Sequence, residues 1–249
     1  MSKPVNPELK AGTLHYNKSS KPFIITCYVK WDKIAVLFLN TGHQRFATAQ
    51  NIVSGALIDK MNPTICGIGY LGEGEHRAKK GKKQTHEYIV WKHMLSRCYD
   101  RKTQKRTPAY IGCSVVEEWH NFQTFAAWIT EKYTEGYEID KDLTILGNKV
   151  YGPKTCCMVP RRINTLLLHR GDGGIYPRGV SLCKVSGKYV ARVNRSDTRD
   201  YLGEFETAEL AFFAYKEAKE RHIKEMAIKH RSGISEAVYI NLINYEIVP

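Results

Sequence analysis

The stretch YEIDKDLTILGNKVYGPKTCCMVP, residues 137–160, combines an aspartate, a loop asparagine and polar residues ahead of a helix start. Its pattern predicts an apolar strand that ends at Asp140, a loop that contains Asn148, a second strand and a short helix. Carboxylate, amide and hydroxyl oxygens are the ligands that Mg²⁺ prefers. A bound Mg²⁺ stabilises the charge that develops on a phosphate under attack. The layout is therefore typical of a one-metal nuclease.

Lys141 occupies the position after Asp140 where this chemistry needs a histidine base. A lysine ammonium is protonated at neutral pH and cannot take a proton from water. Its acidic neighbours, Asp140 and Asp142, favour the charged form further. Several interpretations follow: the base comes from His120, His93 or Asp142, the two aspartates hold the metal jointly, or the fold binds DNA without cutting it. A charged strand end with no chemistry has the same letters.

The segment resembles the HNH endonucleases of phages and mobile elements, whose core is a ββα-metal finger. The resemblance covers residues 67–170 and is carried by YEIDKD, Asn148, PKTCCMV and Asn164, and by the lead-in TPAYIGCSVVEEWHNFQTFAAWITEKY. It implies that Asp140 and Thr155 hold Mg²⁺ or Mn²⁺ and that Asn148 shapes the loop. The catalytic positions under this resemblance are Asp140, Lys141, Asp142, Asn148 and His120.

Seven scattered cysteines, an odd number, predict free thiols in a reducing compartment rather than a disulfide framework. Zn²⁺ is the alternative metal, and its ligands would come from Cys98, Cys113, His120, Cys156 and Cys157. Neighbouring residues on a strand face opposite sides, so the adjacent pair is poorly placed to share one ion. Buried free thiols are the expected state.

The chain has 38 Lys and Arg against 25 Asp and Glu, a formal net charge of +13, which favours nucleic acid as a partner. Part of that charge lies in GIGYLGEGEHRAKKGKKQ, residues 67–84. Its glycines suit phosphate, but no GK[ST] follows, so it is not a P-loop. Lys79, Lys80, Lys82 and Lys83 either contact a nucleic-acid backbone or form a solvated linker.

Three short β-rich runs near the C-terminus, GVSLCKV, KYVARVNR and RDYLGEF, precede a helix that begins after Thr207. Strand alternation puts Ala191 and Val193 on one face and Arg192 and Asn194 on the other. The small apolar face suits the helix. The polar face suits base edges and phosphates in a DNA major groove.

The same region resembles the DNA-binding domain of the Apetala/ethylene-response-factor type. The RGV opening, the GKYVARV strand, the YLGEF turn and the alanine-rich helix carry the resemblance, in order, between residues 178 and 219. That family reads duplex DNA from the sheet face. The contacts it implies here are Arg178, Ser181, Arg192, Asn194, Arg199 and Tyr201. Ser181 and Cys183 depart from the family's usual residues, which leaves the preferred DNA sequence open.

The N-terminal runs FIITCYV, KIAVLFL and RFATAQNI, with the NTGH turn, predict short strands in a small closed barrel. Their order resembles a Src-homology-3-like barrel. The expected fold is therefore α+β and multidomain: a β-barrel in residues 1–66, an HNH-like domain in 67–170, and a three-stranded antiparallel sheet on one helix in 171–249.

The leading functional hypothesis is a phage-type DNA-binding protein that nicks or cuts duplex DNA with Mg²⁺. The alternative is a non-catalytic DNA-binding regulator, or an inhibitor whose barrel binds a host protein. RNA binding through the barrel and the basic loops is a third interpretation. No signal peptide and no bilayer-length apolar run are found in the sequence, so we expect a cytoplasmic protein, in the host cell for a phage product, with no membrane partner.

Overall fold

The computed structural model describes residues 6–167, 175–195 and 198–248, and these form a mixed α+β structure with several separate sheets. The chain divides into two compact units, Met1–Thr130 and Glu131–Pro249. The predicted boundary at 66/67 stays a prediction, and the one at 170/171 lies outside the described residues. Across the three described ranges, no helix has the length and apolar character that crossing a membrane requires.

The first unit opens with a sheet in which each strand pairs antiparallel with the next. Its strands are β1 (Leu14–Tyr16), β2 (Pro22–Lys30), β3 (Lys33–Phe38) and β4 (Gln44–Ala47). Alternate side chains of β2 and β3 point to one side, where Phe23, Ile25, Ile34, Val36 and Phe38 are fully buried. This apolar side is the core of the sheet.

The N-terminal sheet is open, so the expected closed Src-homology-3-like barrel is not found in the described residues. The strand order β1-β2-β3-β4 contains no pairing between its two edge strands. The short helix α1 (Ala49–Val53) supplies Ile52 to the core, and Leu9 and Leu57 join it. Because these residues cover the apolar side, burial of the core does not require the sheet to close.

The rest of the first unit is built around aromatic side chains. Its elements are β5 (Lys79–Lys80), β6 (Lys83–Gln84), α2 (His86–Tyr99), α3 (Arg101–Arg106), β7 (Ser114–Val115) and α4 (Phe122–Lys132). The Thr85 hydroxyl caps α2 by accepting a hydrogen bond from the Tyr88 amide at 3.4 Å. The buried Trp91 indole donates to the Trp119 carbonyl at 2.7 Å and lies 5.5 Å, centroid to centroid, from Phe122. This cluster packs α2 against α4.

The second unit begins with a strand–loop–strand–helix order. Its elements are β8 (Tyr137–Asp140), β9 (Val150–Tyr151), β10 (Cys157–Pro160) and α5 (Arg161–Asn164). β8 and β10 pair antiparallel, with Asp140 opposite Cys157. Order and bounds agree with the ββα arrangement expected for this segment.

The C-terminal part is a three-stranded antiparallel sheet packed against a long helix. Its elements are β11 (Val180–Leu182), β12 (Tyr189–Asn194), β13 (Arg199–Phe205), α6 (Ala208–Lys229) and α7 (Glu236–Ile243). Ala211 and Ala218 of α6 are buried, and so are Ala191 and Val193 of β12, as the alternation predicts. Small side chains let the helix lie close to the sheet. The second half of α6 packs with α7 and the β8–β10 hairpin in one core.

Candidate functional site

Asp140 ends β8 with its carboxylate turned back onto the backbone. Its Oδ1 accepts hydrogen bonds from the Asp142 amide at 2.7 Å and the Leu143 amide at 2.6 Å. Burial raises the pKa of Asp140, and these two hydrogen bonds oppose the rise. One carboxylate oxygen is thus already used to form the turn after β8.

Lys141 is a buried lysine, with only 7% of its surface exposed. Its ammonium donates to Asp142 Oδ1 at 2.5 Å and to the Asn148 carbonyl at 2.8 Å. The Asn148 side-chain amide donates back to the Lys141 carbonyl at 2.8 Å. These contacts close the loop between β8 and β9. Lys141 therefore has a structural role where a nuclease would place its base.

Asn148 and Thr155 organise the same loop. The Asn148 amide nitrogen also donates to the Val150 carbonyl at 2.8 Å, and its side-chain oxygen accepts from the Val150 amide at 3.1 Å. The Thr155 hydroxyl donates to the Val150 carbonyl at 2.7 Å. The expected loop-shaping role of Asn148 matches these contacts, whereas the Thr155 side chain is turned to the backbone.

The residues present do not fit the Mg²⁺ or Mn²⁺ that the resemblance implies. Mg²⁺ takes near-octahedral oxygen ligands, and here Asp140 Oδ1 and the Thr155 hydroxyl are both engaged with the backbone. The Lys141 ammonium already supplies a positive charge at Asp142. In the described parts of the chain, no three His, Cys, Asp or Glu side chains are grouped to hold a metal ion.

The proposed alternative base and the zinc ligands are distributed over both units. His120 belongs to the first unit, where its Nε2 lies 3.1 Å from the Val115 carbonyl. Burial raises the pKa of Cys156 to about 12 and that of Cys157 to about 11. Zinc binds the thiolate, and these two thiols stay protonated at neutral pH. Cys98 and Cys113, which complete the suggested set, are buried in the first unit.

The polar face of the C-terminal sheet carries an arginine held by its neighbours. The Arg192 guanidinium lies 5.7 Å from the centroid of the Tyr201 ring, and Arg192 Nη1 donates to the Ser181 hydroxyl at 3.4 Å. Arg192 and Tyr201 are cross-strand partners on β12 and β13. Tyr201 is 57% exposed, so the face opposite α6 is open to a ligand. These contacts preorganise the guanidinium on the surface.

Other predicted contacts extend or border this face. Asn194 and Arg199 are cross-strand partners and both are exposed. The exposed carboxylate of Glu204 belongs to the same strand as Arg199 and Tyr201 and weakens the local positive charge. Arg178 precedes β11, and its charge opposes the rise in pKa that burial imposes on Tyr215 of α6. Arg178 thus acts on the helix as well.

The basic linker forms a hairpin rather than an irregular connection. Lys79 of β5 pairs with Gln84, and Lys80 pairs with Lys83 of β6. Gly81 supplies the turn with a positive φ of 63°. All four lysines are exposed, including Lys82. The hairpin presents their charges together at the surface.

Glu138 is a polar residue of the ββα segment that sequence reasoning missed. Its Oε2 accepts a hydrogen bond from the Asn164 side chain at 2.6 Å, and its Oε1 lies 3.5 Å from Arg161 Nε. The bond ties β8 to the end of α5. The available signal was its position, two residues before Asp140 and hence on the same side of the strand.

No protein-family model, curated protein or solved structure matches this chain. The resemblances to HNH endonucleases and to Apetala-type domains therefore remain hypotheses that rest on the quoted residues.

Proposed function

We propose that this protein binds duplex DNA through the open face of its C-terminal sheet and does not cut it. One observation carries the proposal: Arg192 is held on that face by Tyr201 and Ser181. A guanidinium reads the major-groove edge of guanine with two parallel hydrogen bonds, and a fixed guanidinium loses less entropy on binding. Arg199 and Asn194 add a charge and an amide beside it.

The net charge of +13 supports a polyanionic partner for the whole chain. In this proposal the lysine hairpin contributes sequence-independent contacts to phosphates, and Arg192 contributes base readout. Arg178, Ser181 and Tyr201 position the duplex, in keeping with the Apetala-type resemblance.

The competing function is metal-dependent cleavage, which the ββα order of β8, β10 and α5 favours. The contacts of Lys141 and of the Asp140 carboxylate argue against it, because both groups are engaged in closing the loop. We therefore treat the ββα segment as a scaffold. A regulator, or an inhibitor that also binds a host protein, is the class of protein that such a scaffold suits.

The decisive experiment combines binding and cleavage. Purified protein is incubated with supercoiled plasmid in Mg²⁺, Mn²⁺ or EDTA, and duplex affinity is measured in parallel by fluorescence anisotropy. We expect retarded plasmid with no nicked or linear product under any condition, and weaker binding for Arg192→Ala. Metal-dependent nicking that Asp140→Ala abolishes would overturn the non-catalytic assignment. Unchanged duplex affinity for Arg192→Ala would overturn the assignment of the binding face.

A further inference from the structure

The N-terminal sheet has a second face that the core does not use. We call it the outer sheet face and define it by Leu14, Tyr16, Ile24, Lys33, Leu37 and Phe46. The strand register places all six on the side opposite the buried Phe23 and Val36. None of the six is buried.

This face exposes aromatic and aliphatic side chains over the width of the sheet. Tyr16 on edge strand β1 is 59% exposed and Phe46 on edge strand β4 is 54% exposed. Between them, Leu14, Ile24 and Leu37 form one cross-strand row. Three strand spacings separate the two edges, which corresponds to about 14 Å.

The charge on the outer sheet face is positive. The Lys33 ammonium lies 5.0 Å from the centroid of the Phe46 ring, and Lys30 is its cross-strand partner. Strands β1–β4 contain no aspartate or glutamate. The hairpin turn supplies the nearest carboxylate in sequence, Asp32, which lies 3.2 Å from Lys30. An anionic ligand with flat apolar groups complements this combination.

We propose that the outer sheet face binds single-stranded DNA, with bases stacked on Tyr16 and Phe46 and phosphates held by Lys33 and Lys30. Unpaired bases offer both of their faces to aromatic side chains, and stacking tolerates any base. Duplex DNA keeps its bases stacked inside the helix and cannot use these rings. The width between Tyr16 and Phe46 suits a site of at least about four nucleotides.

The polar groups of this face favour DNA over RNA as the occupant. Recognition of RNA uses hydrogen bonds to the 2′-hydroxyl. Gln44 is the one uncharged side-chain amide on the strands of this face, and it lies at the end of β4. Stacking and phosphate contacts therefore dominate. The site involves none of the residues proposed to bind duplex DNA.

The test measures binding of the full chain to a labelled oligo-dT of about ten nucleotides, with a blunt duplex in parallel. Phe46→Ala and Tyr16→Ala are each expected to weaken single-strand binding about tenfold, the loss of one stacked base. Duplex affinity should stay unchanged. Val53→Ala is the matched control, because Val53 lies on α1, is 60% exposed and is not part of this face.

Lys33→Gln tests the electrostatic part. It should lower the slope of log affinity against log salt by about 0.7, the value for one phosphate contact to a single strand. Phe46→Trp should retain binding, since the ring is kept. Thermal melting checks that each variant is folded, which half-exposed positions favour.

Single-strand affinity that the Tyr16→Ala/Phe46→Ala double variant leaves unchanged would overturn the proposal. So would an oligo-U RNA of the same length that binds more tightly than the DNA. A self-association of the chain that the double variant abolishes, without any single-strand binding, would assign the face to a protein contact instead. Arg192→Ala, which should affect duplex binding alone, separates failure here from failure of the proposed function.

Discussion

Lys141 and Asn148 hold each other across the loop that follows β8. The Lys141 ammonium donates to the Asn148 carbonyl, and the Asn148 amide donates to the Lys141 carbonyl, both at 2.8 Å. Each residue fixes the other's backbone, so the loop closes on itself. This reciprocal pair explains how a lysine is accommodated at the position where the HNH pattern has histidine.

Removal of the Lys141 ammonium should destabilise the second unit. Lys141→Met leaves the Asn148 carbonyl without its ammonium donor, and we expect the free energy of unfolding to fall by about 1–3 kcal/mol. Chemical denaturation measures it. Lys154→Met is the control, because Lys154 is an exposed lysine of the same region. A variant as stable as the wild type would contradict a structural role for this lysine.

The coupling between the two residues is measurable by a double-mutant cycle. Lys141→Met, Asn148→Ala and the double variant should give an interaction free energy of about 0.5–3 kcal/mol, because the pair shares one network. Additive effects of the two substitutions would mean that each side chain acts alone. In the same series, Lys141→His should reduce stability and still leave supercoiled plasmid uncut in Mg²⁺.

Asp140 should make stability depend on pH in a definite direction. Its folded-state pKa is raised above the ordinary value of 3.8. The protonated carboxyl therefore contributes stability that is complete below pH 3.8 and is lost as pH rises through the folded pKa. Asp140→Asn removes this titration, so its stability relative to wild type should increase from pH 4 towards pH 7. Denaturation at several pH values, with Asp32→Asn as control, detects it. A constant difference across that range would contradict the raised pKa.

Duplex DNA should distinguish base readout from phosphate binding. Arg192→Ala is expected to weaken specific binding by about 1–3 kcal/mol and to relax sequence preference. Lys80→Gln with Lys83→Gln should weaken all duplexes equally and reduce the salt slope by about 0.9 for each phosphate that is no longer neutralised. Anisotropy titrations at several salt concentrations give both quantities. Arg221→Ala, which removes an exposed arginine of α6, serves as the charge-matched control. An equal effect of Arg221→Ala and Arg192→Ala would reduce the sheet face to general electrostatics.

The thiols should react at very different rates. Cys27 and Cys66 are exposed, whereas burial holds the pKa of Cys156 at about 12 and that of Cys157 at about 11. At neutral pH a thiol reagent should therefore modify Cys27 and Cys66 quickly and leave the adjacent pair intact. Mass spectrometry of partially labelled protein identifies the sites. Early modification of Cys156 would contradict its burial, and protection by added Zn²⁺ would revive the zinc interpretation.

Local patterns in the sequence predicted much of the secondary structure. Thr207 caps α6 because a hydroxyl at that position accepts the Leu210 amide, a contact within a few residues. Alternation in β12 put Ala191 and Val193 under the helix and Arg192 on the open face for the same reason: strand geometry is local. The end of β8 at Asp140 is a third example.

Tertiary structure decided the features that depend on partners distant in the chain or on loop closure. The N-terminal sheet stays open because Ile52 and Leu57, beyond the last strand, cover its apolar side. The sequence placed a lysine beside Asp140, but only the folded loop brings the Asn148 carbonyl to its ammonium and buries the lysine. Residue types thus set which groups are available for chemistry, whereas loop closure and burial determine which of them are already engaged.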